Sequence, residues 1–149
     1  MTESASYLQI DSEHIDQYGH VNYKGILPIL EGVQDEVLAR VGTSFDAVEK
    51  VFQLRSFVKK VEITWHGELK KDDLCKVLTR IDLGNTSIKL HQTIEVEEVP
   101  VVEMFMVVVF VDGVGKPTAI PNQLSKQLSG KCKEDDCKKP PDLDDAGSR

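Results

Sequence analysis

From Tyr23 to Arg40 the apolar residues recur at helical spacing. Ile26, Ile29, Leu30, Val33 and Val37, continued by Val41, form one stripe, while Glu31, Gln34, Asp35 and Glu36 fall largely off it. This pattern predicts a long amphipathic helix. Proline is tolerated in a first turn, where no backbone donor is needed, so Pro28 puts the helix start near Ile26 or Leu27. Gly42 supplies a stop. The stretch SFDAVEKVF adds a short helical segment capped by Ser44. Beyond it the period falls to two. In CKVLTRIDL, Cys75, Val77, Thr79, Ile81 and Leu83 share one face and Lys76, Arg80 and Asp82 the other. In SIKLHQTIEVE, Ile88, Leu90, Ile94 and Val96 alternate with Lys89, His91, Thr93 and Glu95. Both read as half-buried strands, with a turn at Gly84 and Asn85 between them. Val101 to Val111 is apolar on both faces, as a central strand is. RSFVKKVEITWHGE is a long strand whose alternation breaks near Lys59, the mark of a bulge, and SYLQID is a short first strand. A strand, a long helix and four strands joined by tight turns predict an α+β fold. In it a five-stranded antiparallel sheet wraps around one long helix.

Length and charge narrow the classes. The 149 residues suit one domain, expected over residues 1–130. From Lys131 onward charge blocks alternate around a double proline with Leu143 as the lone large aliphatic residue, which predicts a disordered tail over 131–149. That tail holds five basic and six acidic residues, so the net charge of −7 belongs mainly to the rest of the chain. No basic stripe is present, which argues against nucleic acid as a partner. No apolar run reaches the ~18 residues of a membrane span. The start MTESASYLQ has no basic-then-apolar pattern, so a cytoplasmic location is the expectation. Three cysteines without a secretory signal predict no disulfide framework, and Cys132 and Cys137 read as free thiols. Trp65 and the run Met104 to Met106 read as packing, though a strand bearing Met104 to Met106 could also line a pocket.

The densest chemistry lies in IDQYGHVNY, residues 15–23, just before the long helix. Three roles fit it. A structural one has Gly19 making a turn while Asn22 or Asp16 caps the helix. A metal site could draw on His14, Asp16 and His20, but the strong ligand spacings are missing and no metal is predicted. A catalytic one sets a carboxylate beside a helix N-terminus, whose free N–H groups polarise a carbonyl and hold an oxyanion. The carboxylate then attacks that carbonyl or activates a water.

Asp16 followed by Gly19-His20-Val21-Asn22, then ILPILE with Leu27 and Glu31 in register, resembles the hotdog-fold acyl-CoA thioesterases of the 4-hydroxybenzoyl-CoA thioesterase type. The likeness continues through the Leu-Gly-x-x-Ser turn at Leu83 to Ser87 and the proline-rich exit VFVDGVGKPTAIPNQL, covering about residues 7 to 128. It implies a hotdog fold and hydrolysis of an acyl-CoA thioester to free acid and CoA. Asp16 would be nucleophile or general base, the backbone N–H of Tyr23 the oxyanion donor, and His20 and Asn22 orienting groups. CoA enters as part of the substrate, with no separate cofactor. It would bind at a subunit interface of a homodimer or homotetramer, with Lys59, Lys60, Arg80 and Lys89 as candidates for its phosphates. The alternative is a non-catalytic acyl-CoA or acyl-carrier binding protein on the same fold. The chain departs from the family pattern at Tyr23-Lys24-Gly25, at Ile26, at Gln34 where arginine is common, and at Asp72 where glycine is usual.

Overall fold

The computed structural model describes residues 2–130. The predicted tail, with Cys132 and Cys137, lies outside the described residues. In chain order the elements are β1 (Thr2–Gln9), α1 (Tyr23–Arg40), α2 (Phe45–Phe52), β2 (Arg55–Trp65), β3 (Leu74–Leu83), β4 (Ser87–Val96), β5 (Val99–Val111) and α3 (Asn122–Leu128). The five strands form one antiparallel sheet in the order β1-β3-β4-β5-β2, and α1 packs on its concave face.

The apolar stripe of α1 does what its spacing predicts. Ile26, Ile29, Leu30, Val33 and Val37 are buried against Val77, Ile81, Leu90, Ile94 and Met104 of the sheet. Burial of each such side chain contributes about 1.5–3 kcal/mol. The helix begins earlier than Pro28 suggests, at Tyr23, because the Asn22 side chain caps the N–H groups of Lys24 and Gly25. Pro28 therefore stands inside the helix. It is on the exposed side, where water can reach the Lys24 carbonyl that loses its donor. Gly42 ends the helix at φ +81°, and Ser44 caps α2 through the Ala47 N–H.

Among the buried polar residues, two glutamines pair with each other. Gln34 is buried on the sheet side of α1 and donates to the Gln92 side chain of β4 at 2.8 Å. A buried amide is tolerated there because each finds a partner in the other. In β3 and β4 the remaining alternation holds as predicted, and the bulge appears as a register shift between Val58 and Lys60.

The neighbour relations differ from a simple meander. β2 pairs with β5, not with the β3 that follows it. α1 and α2 carry the chain from β1 at one edge to β2 at the other, so residues 66–73 must return across the end of the sheet to start β3. Leu69 is fully buried in that crossing, and the N–H groups of His66 and Gly67 donate to the Val101 carbonyl. β5 buries Val102, Met104, Met106, Val108 and Phe110, while Phe105, Val107 and Val109 on the outer face are only half-buried. The outer face thus carries no second layer among the described residues. The tight β4–β5 turn is made by Glu97 and Glu98 at φ +52° and +66°. Helix α3, which the spacing did not announce, plugs the core with Leu124 and Leu128.

Candidate functional site

The loop before α1 is held by its own polar groups. Gly19 turns the chain at φ +82°, a conformation in which a Cβ is disfavoured. The Asp16 N–H donates to the His20 carbonyl at 2.9 Å, and the Gly19 N–H to the Asp16 carbonyl at 3.0 Å. The carboxylate closes the same turn: its Oδ1 accepts from the N–H of Tyr18 at 2.9 Å and, at a longer 3.4 Å, from that of His20. Its Oδ2 has no partner among the described residues, and the side chain is half-buried rather than enclosed. Asp16 is therefore a fixed carboxylate with one oxygen occupied.

Asn22 spends its side-chain oxygen on the Lys24 and Gly25 N–H groups, at 2.9 and 3.1 Å. The N–H of Tyr23, just ahead of them, has no acceptor among the described residues and is available to a ligand. Gly25 lets the first turn close on the loop, since a Cβ there would lie 3.0 Å from the His14 carbonyl oxygen. The loop is also stitched to the crossing segment. Val21 donates to the Leu69 carbonyl at 2.9 Å, His20 bridges to Lys70, and His20 Nε2 lies 3.3 Å from Glu68 Oε2. Asp16, His20, Asn22 and the Tyr23 N–H thus belong to one loop and helix start.

The other predicted residues are elsewhere. Register places Lys60, Arg80 and Lys89 on the outer face of the sheet, away from α1, and Lys59 in the β2 bulge. Lys60 pairs with Glu62 at 2.9 Å and Arg80 with Asp82 at 3.4 Å. The trio His14, Asp16 and His20 does not gather at one point. Among the described residues Asp11, Glu13 and His14 do, all exposed or half-exposed, with His14 Nδ1 already accepting from the Asp11 N–H. Cys75 is no nucleophile: burial, with Asp73 adding to it, pushes its thiol up to about 12.

A cavity of about 450 Å³ opens between α1, α2, β2 and β5. Leu27, Phe45, Val58, Val61, Met106 and Val108 make its walls, and Glu31 and Gln34 bring polar atoms to it. Leu27 is one helical turn beyond Tyr23. The strand bearing Met104 to Met106, read from the sequence as packing that could also line a pocket, contributes Met106 to this wall, while the rest of the lining is not legible in the sequence. A signal for a buried amide existed in Gln92, which falls in phase with Leu90 and Ile94, whereas Gln34, read as lying largely off the apolar stripe, is turned to the sheet side by its bond to Gln92.

The sequence matches no protein-family model and no curated protein. Solved structures match it over most of its length. A 1,4-dihydroxy-2-naphthoyl-CoA thioesterase from Synechocystis superposes with a TM-score of 0.78 at 14% identity, covering 89% of this chain and 98% of that one. A mutant 4-hydroxybenzoyl-CoA thioesterase complexed with 4-hydroxybenzoyl-CoA gives 0.73 at 13% identity, covering 85% and 99%. This is a hotdog fold. A Staphylococcus aureus protein in complex with CoA gives 0.76 at 19% identity, covering 85% and 82%. At these identities the likeness extends to the hotdog architecture and no further. Among the described residues no helix is long and apolar enough to cross a membrane.

Proposed function

We propose that the chain hydrolyses an acyl-CoA thioester to the free acid and CoA. One observation carries this: a fixed carboxylate with a free oxygen and an unpaired helix N-terminal N–H share one loop, and an apolar cavity begins one turn farther along that helix. Structural neighbours that are thioesterases with CoA-ester substrates support it. In this scheme the thioester oxygen accepts from the Tyr23 N–H, where the helix dipole favours negative charge. Asp16 Oδ2 attacks the carbonyl carbon, the C–S bond breaks, and the CoA thiolate takes a proton from solvent. Water then cleaves the mixed anhydride. The same carboxylate could instead take the proton of an attacking water, with identical products. His20 and Asn22 hold the loop and the helix start in place. Lys59, Lys60, Arg80 and Lys89 serve the CoA phosphates across a subunit interface, because within one chain three of them face away from α1. The working unit is a homodimer or homotetramer.

A second role has support in the same geometry. Asp16 Oδ1 closes its own turn, which a purely binding protein for acyl-CoA or an acyl carrier would also need. Thiol release from short, long and aromatic acyl-CoAs, run beside Asp16→Asn, separates the two. Hydrolysis by the parent and a loss of roughly a hundredfold or more in the variant is the expected result. Absence of thiol release from every ester, with binding retained, would leave the binding role. Equal rates in parent and variant would remove Asp16 from the chemistry.

A further inference from the structure

Gln34 lines the cavity, yet its residue is only 5% exposed. Its amide orientation follows from its neighbours. The Gln92 side chain is fully buried, and one end of its amide meets the Leu30 carbonyl at 3.5 Å and Thr79 Oγ1 at 3.1 Å. A carbonyl oxygen only accepts, so that end is Nε2 and the other end is Oε1. Gln92 Oε1 in turn requires a donor, which fixes Gln34 Nε2 against it at 2.8 Å. What remains is Gln34 Oε1, without a partner among the described residues. The cavity therefore offers a preset hydrogen-bond acceptor, and the exposed Glu31 and Ser56 bring a carboxylate and a hydroxyl to its lining. The residues lining it include no cation.

Leu27, Glu31 and Gln34 follow one another at helical spacing, a stripe about 10 Å long. Tyr23 lies one turn earlier, about 16 Å from Gln34 along the axis. We infer that the cavity takes the acyl part of the substrate, and that Gln34 selects an aliphatic chain ending in a hydroxyl group. This rests on the thioester function proposed above and names its substrate class. A hydroxyl at the chain end donates to Gln34 Oε1, whereas a plain chain filling the cavity displaces water from that acceptor and leaves it unpaired. A terminal carboxylate brings a negative charge into a cavity that already holds the Glu31 carboxylate and is lined by no cation, and is refused.

The test uses non-hydrolysable pantetheine amides of octanoic and dodecanoic acid, each in plain, ω-hydroxy and ω-carboxy form, with binding followed by calorimetry on the full chain. The ω-hydroxy form of at least one length should bind roughly tenfold tighter than its plain partner, and the ω-carboxy form should not bind. Gln34→Leu should bind hydroxy and plain forms equally. Because that variant strands Gln92 Oε1, Gln34→Leu/Gln92→Leu is measured beside it, and the same equality is expected. Equal binding of hydroxy and plain forms by the parent, or a preference that survives in a folded variant, overturns the role of Gln34 and leaves the thioester function standing. If no amide of either length binds and no CoA ester is cleaved, both fall together.

Discussion

Asp16 combines two tasks that substitution can separate. Its Oδ1 holds the Tyr18 and His20 N–H groups, and its free Oδ2 is the proposed reacting atom. Asparagine keeps an acceptor for the turn and loses the charge. Alanine loses both. Asp16→Asn should therefore unfold within about 0.5 kcal/mol of the parent while Asp16→Ala costs about 1 kcal/mol, measured by urea denaturation. Equal costs would mean that the turn does not depend on that oxygen. Asn22 presents a simpler case. Its side chain satisfies two first-turn donors of α1, so Asn22→Ala should cost about 1 kcal/mol and fray the helix start at the site. The sequence already displayed these residues as a group, since capping and turn chemistry are local. It did not display the Gln34–Gln92 pair, because a glutamine is assigned to the surface unless its distant partner is known.

Elements were legible where their signal is contained in a few turns of chain. The α1 stripe, the Ser44 cap of α2 and the Lys59 bulge all follow from residues that touch their neighbours in sequence. The β4–β5 turn was not, because Glu97 and Glu98 carry none of the usual turn residues. Both sit at positive φ in a two-residue connection, which corresponds to a type I′ turn. Residues with a Cβ are strained there by roughly 1 kcal/mol each. Glu97→Asn/Glu98→Gly should raise stability by about 1 kcal/mol and the Tm by roughly 3 °C in a thermal melt. Asp72 is a milder instance: it stands at φ +70°, and aspartate tolerates that region better than most.

Strand order belongs to the whole molecule. Nothing in RSFVKKVEITW says that it pairs with a strand more than thirty residues later rather than with the next one. That outcome depends on α1 and α2 having carried the chain across the concave face. The result leaves β2 as an edge of eleven residues on which Phe57 is 61%, Val58 49% and Val61 39% exposed. At the opposite edge Arg40 from α1 donates to the Ala5 carbonyl, so some of that edge is already used. An unpaired edge with exposed apolar side chains is costly to leave in water, and the same strand of a second copy can pair with it about a two-fold axis. Lysines at Phe57 on the outer face and Val61 on the inner face would each bring positive charge to that edge and, by symmetry, to the edge it meets. The parent should therefore sediment as a dimer or a dimer of dimers at micromolar concentration, with a melting temperature that rises with protein concentration. Phe57→Lys/Val61→Lys should weaken the association at least tenfold and make the melting temperature concentration-independent. Because Val61 also walls the cavity, Phe57→Lys alone, on the outer face, is the variant in which poor acyl-CoA cleavage with Asp16 in place would follow from dissociation. A parent that stays monomeric, yet hydrolyses the ester, would show that the β2 edge is simply an edge and that one chain holds a complete site.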